Sequence, residues 1–118
     1  VRAGDVIDVG GTRFRLADIR AIAGYHHHGP NAHHWPRGTT PEQALRLKVG
    51  NTNIACYPHG NNAQGETLGR CLLGETDLGG WMVEQGMALP TGNRSDYQLK
   101  QSIAKREARG WWSTQRED

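Results

Sequence analysis

The chain has almost no excess of charge: 14 lysines and arginines against 12 aspartates and glutamates leave it at +2. Composition therefore gives no support to a dedicated nucleic-acid binder, although local basic patches are still allowed. It also has no apolar run near the roughly 20 residues needed to cross a bilayer as a helix, and no charged-then-apolar leader. The opening at Val1-Arg2 runs straight into a β pattern, which predicts a processed segment upstream, such as a signal peptide. Cysteines number only two, Cys56 and Cys71, and there is no internal repeat. At 118 residues the chain can bury one core but not two. What it does have is glycine: 16 of them, with a hydrophobic share of 36%, point to a turn-rich domain containing β-structure rather than a helical bundle.

The clearest local signal lies near the start. Val6 to Val9 and Thr12 to Leu16 are short, partly β-branched alternating runs, and Gly10-Gly11 between them supplies a two-residue primed turn. This hairpin sets Asp5 and Arg15 on paired strands. Thr52 to Pro58 and Thr67 to Leu73 read as a second hairpin, joined by the Gly- and Asn-rich stretch from His59 to Gly65. Centred near Ala63, it sets Cys56 approximately opposite Cys71, so a cross-strand disulfide is geometrically reasonable, with two buried free thiols as the other reading.

Three helices are expected. Thr40, Pro41 and Gln43 supply an N-cap hydroxyl, a first-turn proline and a capping-box glutamine, and Gly50 supplies the stop. Ala44, Leu45 and Val49 form that helix's apolar face, with Leu47 undecided. Asp77 precedes a short helix over Leu78 to Gln85, with Trp81 and Met82 assigned to the core. Ser95 or Asp96 starts the last helix, through Tyr97, Leu99, Ile103 and Ala104 to Gly110, with Lys100, Lys105, Arg106 and Arg109 outside as a solvated face. The domain spans residues 1–112, and residues 113–118 read as a polar tail.

The stretch from Gly24 to Gly38 has neither helical nor strand period and reads as a loop. Five of the six histidines fall in it: His26, His27, His28, His33 and His34. Such a cluster can close around zinc, copper or nickel. It lacks the helical spacing and the cysteines of a structural zinc site, and a solvated polar loop or a partner contact is the plainer reading.

Gly4 to Leu16, read as Gly-Asp-Val-Ile-Asp-Val-Gly-Gly-Thr-Arg-Phe-Arg-Leu, resembles the opening of the staphylococcal nuclease (thermonuclease) family, whose pattern is D-G-D-T-I, a turn, R-L, then D-x-P-E. Leu78 to Ala88 is similar to the family's L-x-x-x-L-V-x-x-G-x-A, and Gly110-Trp111-Trp112 to its closing G-L-W. Trp35-Pro36-Arg37-Gly38 stands where exported bacterial members carry W-P-C-G, and such members have cysteines at the places of Cys56 and Cys71. The resemblance implies an α+β fold, a five-stranded Greek-key barrel of the oligonucleotide- and oligosaccharide-binding type with three packed helices, and an oxidising, exported setting.

It also implies a site. In the family, two aspartates bind calcium, a glutamate serves as the proposed general base and two arginines clamp the phosphate, as metal-assisted phosphodiester attack requires. Asp5 and Arg15 stand at one ligand and one clamp. The other positions fall on Arg20, Ala23 and Glu66, so a calcium ligand, the base and the second clamp are replaced. Asp18 sits two residues from the ligand position without a glutamate after it, and Arg70 lies four residues too late for the clamp, about 13 Å along a strand.

Calcium binding is accordingly not expected. Arg20 and Glu66 have natural partners in Asp5 and Arg15 respectively, which would make the old pocket a charge-balanced structural patch. The expectation is a nuclease-like domain without phosphodiesterase activity, serving as a binding or structural module with a protein partner or in a larger assembly. Two other functions remain to be separated by experiment: a nuclease acting through calcium at Asp5 and Asp18 or through a histidine-bound metal, and a histidine-rich metal-binding domain.

Overall fold

The computed structural model describes residues 1–22, 25–26, 33–34 and 40–113. Strand β1 (Val6–Val9) and strand β2 (Thr12–Leu16) form the first hairpin, with Val9 opposite Thr12. Gly10 and Gly11 both have positive φ, 58° and 82°, the left-handed region that a primed turn requires and that a Cβ disfavours. Alternation then turns Ile7, Phe14 and Leu16 into the core.

Strand β3 (Ile19–Ala21) follows, then two short strands, β4 (Tyr25–His26) and β5 (His33–His34), which pair antiparallel. The stretch expected to be loop throughout therefore contains a ladder, in which Tyr25 faces His34 and His26 faces His33 along the backbone. Two-residue strands leave no run long enough for sequence periodicity to register.

Helix α1 (Pro41–Val49) has the predicted start: Thr40 Oγ1 accepts from the Gln43 backbone N–H, and the Gln43 side chain accepts from the Thr40 N–H. Gly50 ends it. Ala44 and Leu45 are buried, whereas Leu47 is 81% exposed, which decides the open position.

Strand β6 (Ala55–Asn61) and strand β7 (Thr67–Leu73) form the second hairpin, and strand β8 (Thr76–Asp77) adds to β7. β6 begins three residues later than the expected Thr52 to Pro58 and continues past Pro58. A register shift between Pro58 and Gly60 accommodates the proline in an edge strand, where its missing N–H costs least.

Helix α2 (Leu78–Glu84), strand β9 (Ala88–Pro90), helix α3 (Ser95–Arg106) and a 3₁₀ turn (Gly110–Ser113) complete the described chain. α3 stops short of the expected Gly110, because Ala108 turns to a φ of 54°. Leu99, expected inside, is 63% exposed, and α3 buries Tyr97 and Ala104 instead. The Tyr97 hydroxyl donates to Asp77 Oδ2. Burial first, and this bond second, raise the phenol's pKa. Ser113 ends the 3₁₀ turn, its hydroxyl donating to the Gly110 carbonyl at 2.8 Å, and residues 114–118 lie outside the described residues.

The principal sheet runs β1-β2-β7-β6, with β8 on β7. β2 and β7 are parallel, Phe14 opposite Thr67 and Leu16 opposite Gly69, and the other pairs are antiparallel. β3 and β9 make a separate ladder. The core lies between sheet and helices, around Leu16, Leu45, Leu78, Met82, Val83 and Tyr97. A smaller cluster seats Trp111 on Ile22.

The fold is thus α+β with three helices. The closed five-stranded barrel implied by the resemblance is not formed by the described residues, because closure needs strands hydrogen-bonded all the way round and β1 and β6 are the two edges of an open sheet.

Cys56 and Cys71, register partners in β6 and β7, are joined by a disulfide that closes a separation of 15 residues. In the chain-entropy model a loop of that size stabilises by about 3 kcal/mol. Reduction, or a Cys56→Ser and Cys71→Ser double substitution, is expected to lower unfolding free energy by about that amount, read from a urea titration fitted for both midpoint and slope, the slope rising because the unlinked unfolded chain exposes more surface.

Candidate functional site

The site begins at the turn before β1. Ala3 bridges to Val6, and Gly4 lies so close to α1 that an added Cβ would stand 2.4 Å from Pro41 Cβ. The next residue, Asp5, is buried, at 5% exposed. The Asp5 carbonyl accepts from the Leu16 N–H at 2.8 Å, and its Oδ2 accepts from the Ala21 N–H at 3.0 Å. One buried residue thereby ties together the turn, the end of β2 and β3.

Arg15 projects from β2 toward the same carboxylate, with Nη1 3.2 Å from Asp5 Oδ2. Its other edge meets Glu66, which enters because β7 runs parallel to β2 and starts one residue later. Arg15 Nε donates to Oε1 at 2.7 Å and Nη2 to Oε2 at 3.1 Å. This is the bidentate geometry in which guanidinium and carboxylate bind best.

Glu66 is itself fixed by Asn62. The Asn62 side-chain amide donates to Glu66 Oε1 at 2.8 Å, while Asn62 Oδ1 accepts from the N–H groups of Gln64 and Glu66. Hydrogen bonding from Arg15, then from Asn62, holds the Glu66 carboxyl at about 2, well below its ordinary 4.5. The same pairing raises the pKa of Arg15. Sequence reading missed Asn62. Its signal was available: an asparagine beginning a tight Gly-containing turn, four residues before a charged one, is placed to cap that turn.

An open pocket of about 530 Å³ lies over this cluster, bordered by Asp5, Arg15, Arg20, Asn62, Gln64 and Glu66. Two carboxylates and two guanidinium groups give it no net formal charge. The expected Arg15–Glu66 pair is present, but the expected Arg20–Asp5 pair is not. Asp5 Oδ2 is taken by Arg15 and the Ala21 N–H, and Arg20, on the exposed position of β3, makes no ion pair among the described residues.

The remaining candidates lie elsewhere. Asp18 is 3.9 Å from Arg94, and Arg70 is 3.8 Å from Asp77; neither borders the pocket. Ala23, His27 and His28, and the side chains of His26, His33 and His34, lie outside the described residues, so the histidine-metal reading does too. Among the described residues no group of three histidine, cysteine or carboxylate side chains could hold a metal ion. None of the described helices is long and apolar enough to cross a membrane.

The described site is a salt-bridge cluster beneath an open pocket in an α+β domain. No family model matches the chain, and no curated protein matches it.

The depressed Glu66 carboxyl makes stability depend on pH in a set direction. A group whose folded pKa lies below its unfolded value stabilises above the unfolded pKa and loses that contribution as pH falls through the folded one. Stability should therefore decline between about pH 5 and pH 2, a window set by the values 4.5 and about 2. Glu66→Gln should flatten this part of the pH profile, measured by thermal unfolding at a series of pH values.

Proposed function

We propose that this chain is a staphylococcal nuclease-like domain whose phosphodiesterase site has become a structural salt-bridge cluster, leaving a non-catalytic binding or structural module. The observation that carries this reading is the bidentate Arg15–Glu66 pair. The guanidinium that would clamp a phosphate is saturated from within the chain, by a carboxylate whose two oxygens stand where phosphoryl oxygens would.

The other substitutions point the same way. A nuclease of this kind needs a carboxylate pair for calcium and a carboxylate base. Here Asp5 faces a guanidinium 3.2 Å away, Arg20 stands at the second ligand position, and Ala23 stands at the base. Loss of a positioned base costs about 10² to 10⁴ in rate, and loss of one charge-stabilising donor about 10² to 10³. A cation at the metal position adds repulsion on top.

The open β1-β2-β7-β6 sheet with α1 to α3 is compatible with a domain related to the barrels of the oligonucleotide- and oligosaccharide-binding type. Its Cys56–Cys71 bond suits an oxidising, exported setting. A protein partner or assembly is the expected ligand, since the pocket has no net charge with which to attract a nucleic acid.

Cleavage of single-stranded DNA and RNA, assayed with calcium, zinc, nickel or a chelator, should show no metal-dependent product. Cleavage that needs a metal and disappears in Asp5→Asn would overturn the reading and identify a nuclease with rearranged ligands. A second expectation isolates the role of Glu66. Removing its charge in Glu66→Gln should free Arg15 and raise affinity for inorganic phosphate about tenfold, the worth of one charge-assisted hydrogen bond. Calorimetric titration of both proteins would detect this, and equal affinities would mean that Glu66 is not the occupant of an anion site.

A further inference from the structure

Nearly every side-chain cation among the described residues is matched. The other described arginines are all ion-paired, Lys100 pairs with Glu84, and Lys48 and Lys105 lie over the rings of Trp81 and Trp112. Arg20 alone among the described arginines and lysines has neither a carboxylate nor a ring. It is exposed on β3 and borders the pocket of about 530 Å³. Thr91 and Gln64 border the same pocket and bring uncharged hydrogen-bonding groups to it.

A second pocket, of about 660 Å³, adjoins the first, with Gln64 and Glu66 bordering both. In it, Arg2 Nε and Arg13 Nε donate to the two oxygens of one carboxylate, Asp8, at 2.8 and 3.3 Å. Two guanidinium groups on one carboxylate leave a positive charge over, at a place open to solvent. At the junction the balance has the opposite sign, because Asp5 and Glu66 share the single guanidinium of Arg15. Arg13 borders only one pocket, Arg20 only the other and Glu66 both, so the surface reads positive, negative, positive.

That order of charges discriminates between ligands. A nucleic-acid strand carries a phosphate at every nucleotide, so a strand reaching from Arg20 to Arg13 sets phosphate against Glu66, and like charges brought together oppose binding. A polypeptide can carry acid at two positions and no charge between them. Each carboxylate is planar and matches the fork of a guanidinium with two hydrogen bonds. We infer that the two pockets together take an extended segment of a partner protein, with one acidic side chain on Arg20, a second on the Arg2–Arg13 pair and an uncharged stretch across Glu66. The inference rests on the reading of the domain as a non-catalytic binding module, and it names the class of that module's ligand.

The probes are acetylated and amidated peptides in which two glutamates flank one to four alanines, titrated calorimetrically at low salt. One spacing should bind more tightly than the rest, and Arg20→Gln and Arg13→Gln should each weaken it about threefold, as for a partly exposed ion pair. Changing one glutamate of that peptide to glutamine should abolish the effect of one arginine variant and preserve the effect of the other. Arg20→Gln loses no described partner, so its Tm should equal that of the parent. Arg106→Gln, on α3 and outside both pockets, should leave binding unchanged. The inference is overturned by no binding at any spacing, by equal weakening in Arg106→Gln, or by single-stranded DNA that binds more tightly than the best peptide and is lost in Arg20→Gln. Peptide failure without metal-dependent cleavage removes this ligand and leaves the non-catalytic reading standing, whereas metal-dependent cleavage lost in Asp5→Asn removes that reading itself.

Discussion

A carboxylate buried as deeply as Asp5 is costly unless it is paired and hydrogen-bonded, and meeting that requirement organises this end of the molecule. The Ala21 N–H supplies one bond and Arg15 the charge. Because Ala21 belongs to β3 and Arg15 to β2, the acid holds two separate ladders in register. Gly4, pressed against Pro41, brings the N-terminal end of α1 over the same turn. Removing one member of such a buried group leaves the other uncompensated, so the cluster favours a single arrangement of its strands whatever its net contribution to stability.

The cluster extends through Arg15 to the second hairpin. A parallel β2–β7 pair is an unusual join between two antiparallel hairpins, and it needs a long connection, which here contains α1. Its consequence is that residues 51 apart in sequence, Arg15 and Glu66, meet with bidentate geometry. Asn62 then fixes the glutamate from inside its own turn, so neither charge is free to reorganise around a ligand without breaking several bonds. Beneath the pocket, Asp5, Arg15 and Glu66 satisfy one another's charges, while Arg20 makes no ion pair among the described residues.

Much of this was legible in the sequence. The Gly-Gly turn fixes β1 and β2, Thr67 to Leu73 is strand β7 to the residue, and the Thr40-Pro41-Gln43 start of α1 was readable because caps and turns are local chemistry. Facing positions in one hairpin made the Cys56–Cys71 bond readable as well. Other features were not local. β3 and β9 are three residues each and exist because they pair with one another. The histidine-rich stretch holds a ladder too short to show a period, and Leu99 sits at an apparently apolar position that the packing of α3 leaves in solvent.

The division is sharpest at the site itself. Residue identities alone set the charges available to the pocket, two carboxylates and two guanidinium groups, since a side chain's chemistry does not depend on where it lies. Which charge meets which was decided only by the tertiary structure. Two partners were available to Asp5, and strand alternation pointed Arg20 outward while β2 delivered Arg15. Pairing at 3 Å depends on the direction in which each strand presents its side chains, and that direction is set by long-range register, which no stretch of sequence contains by itself.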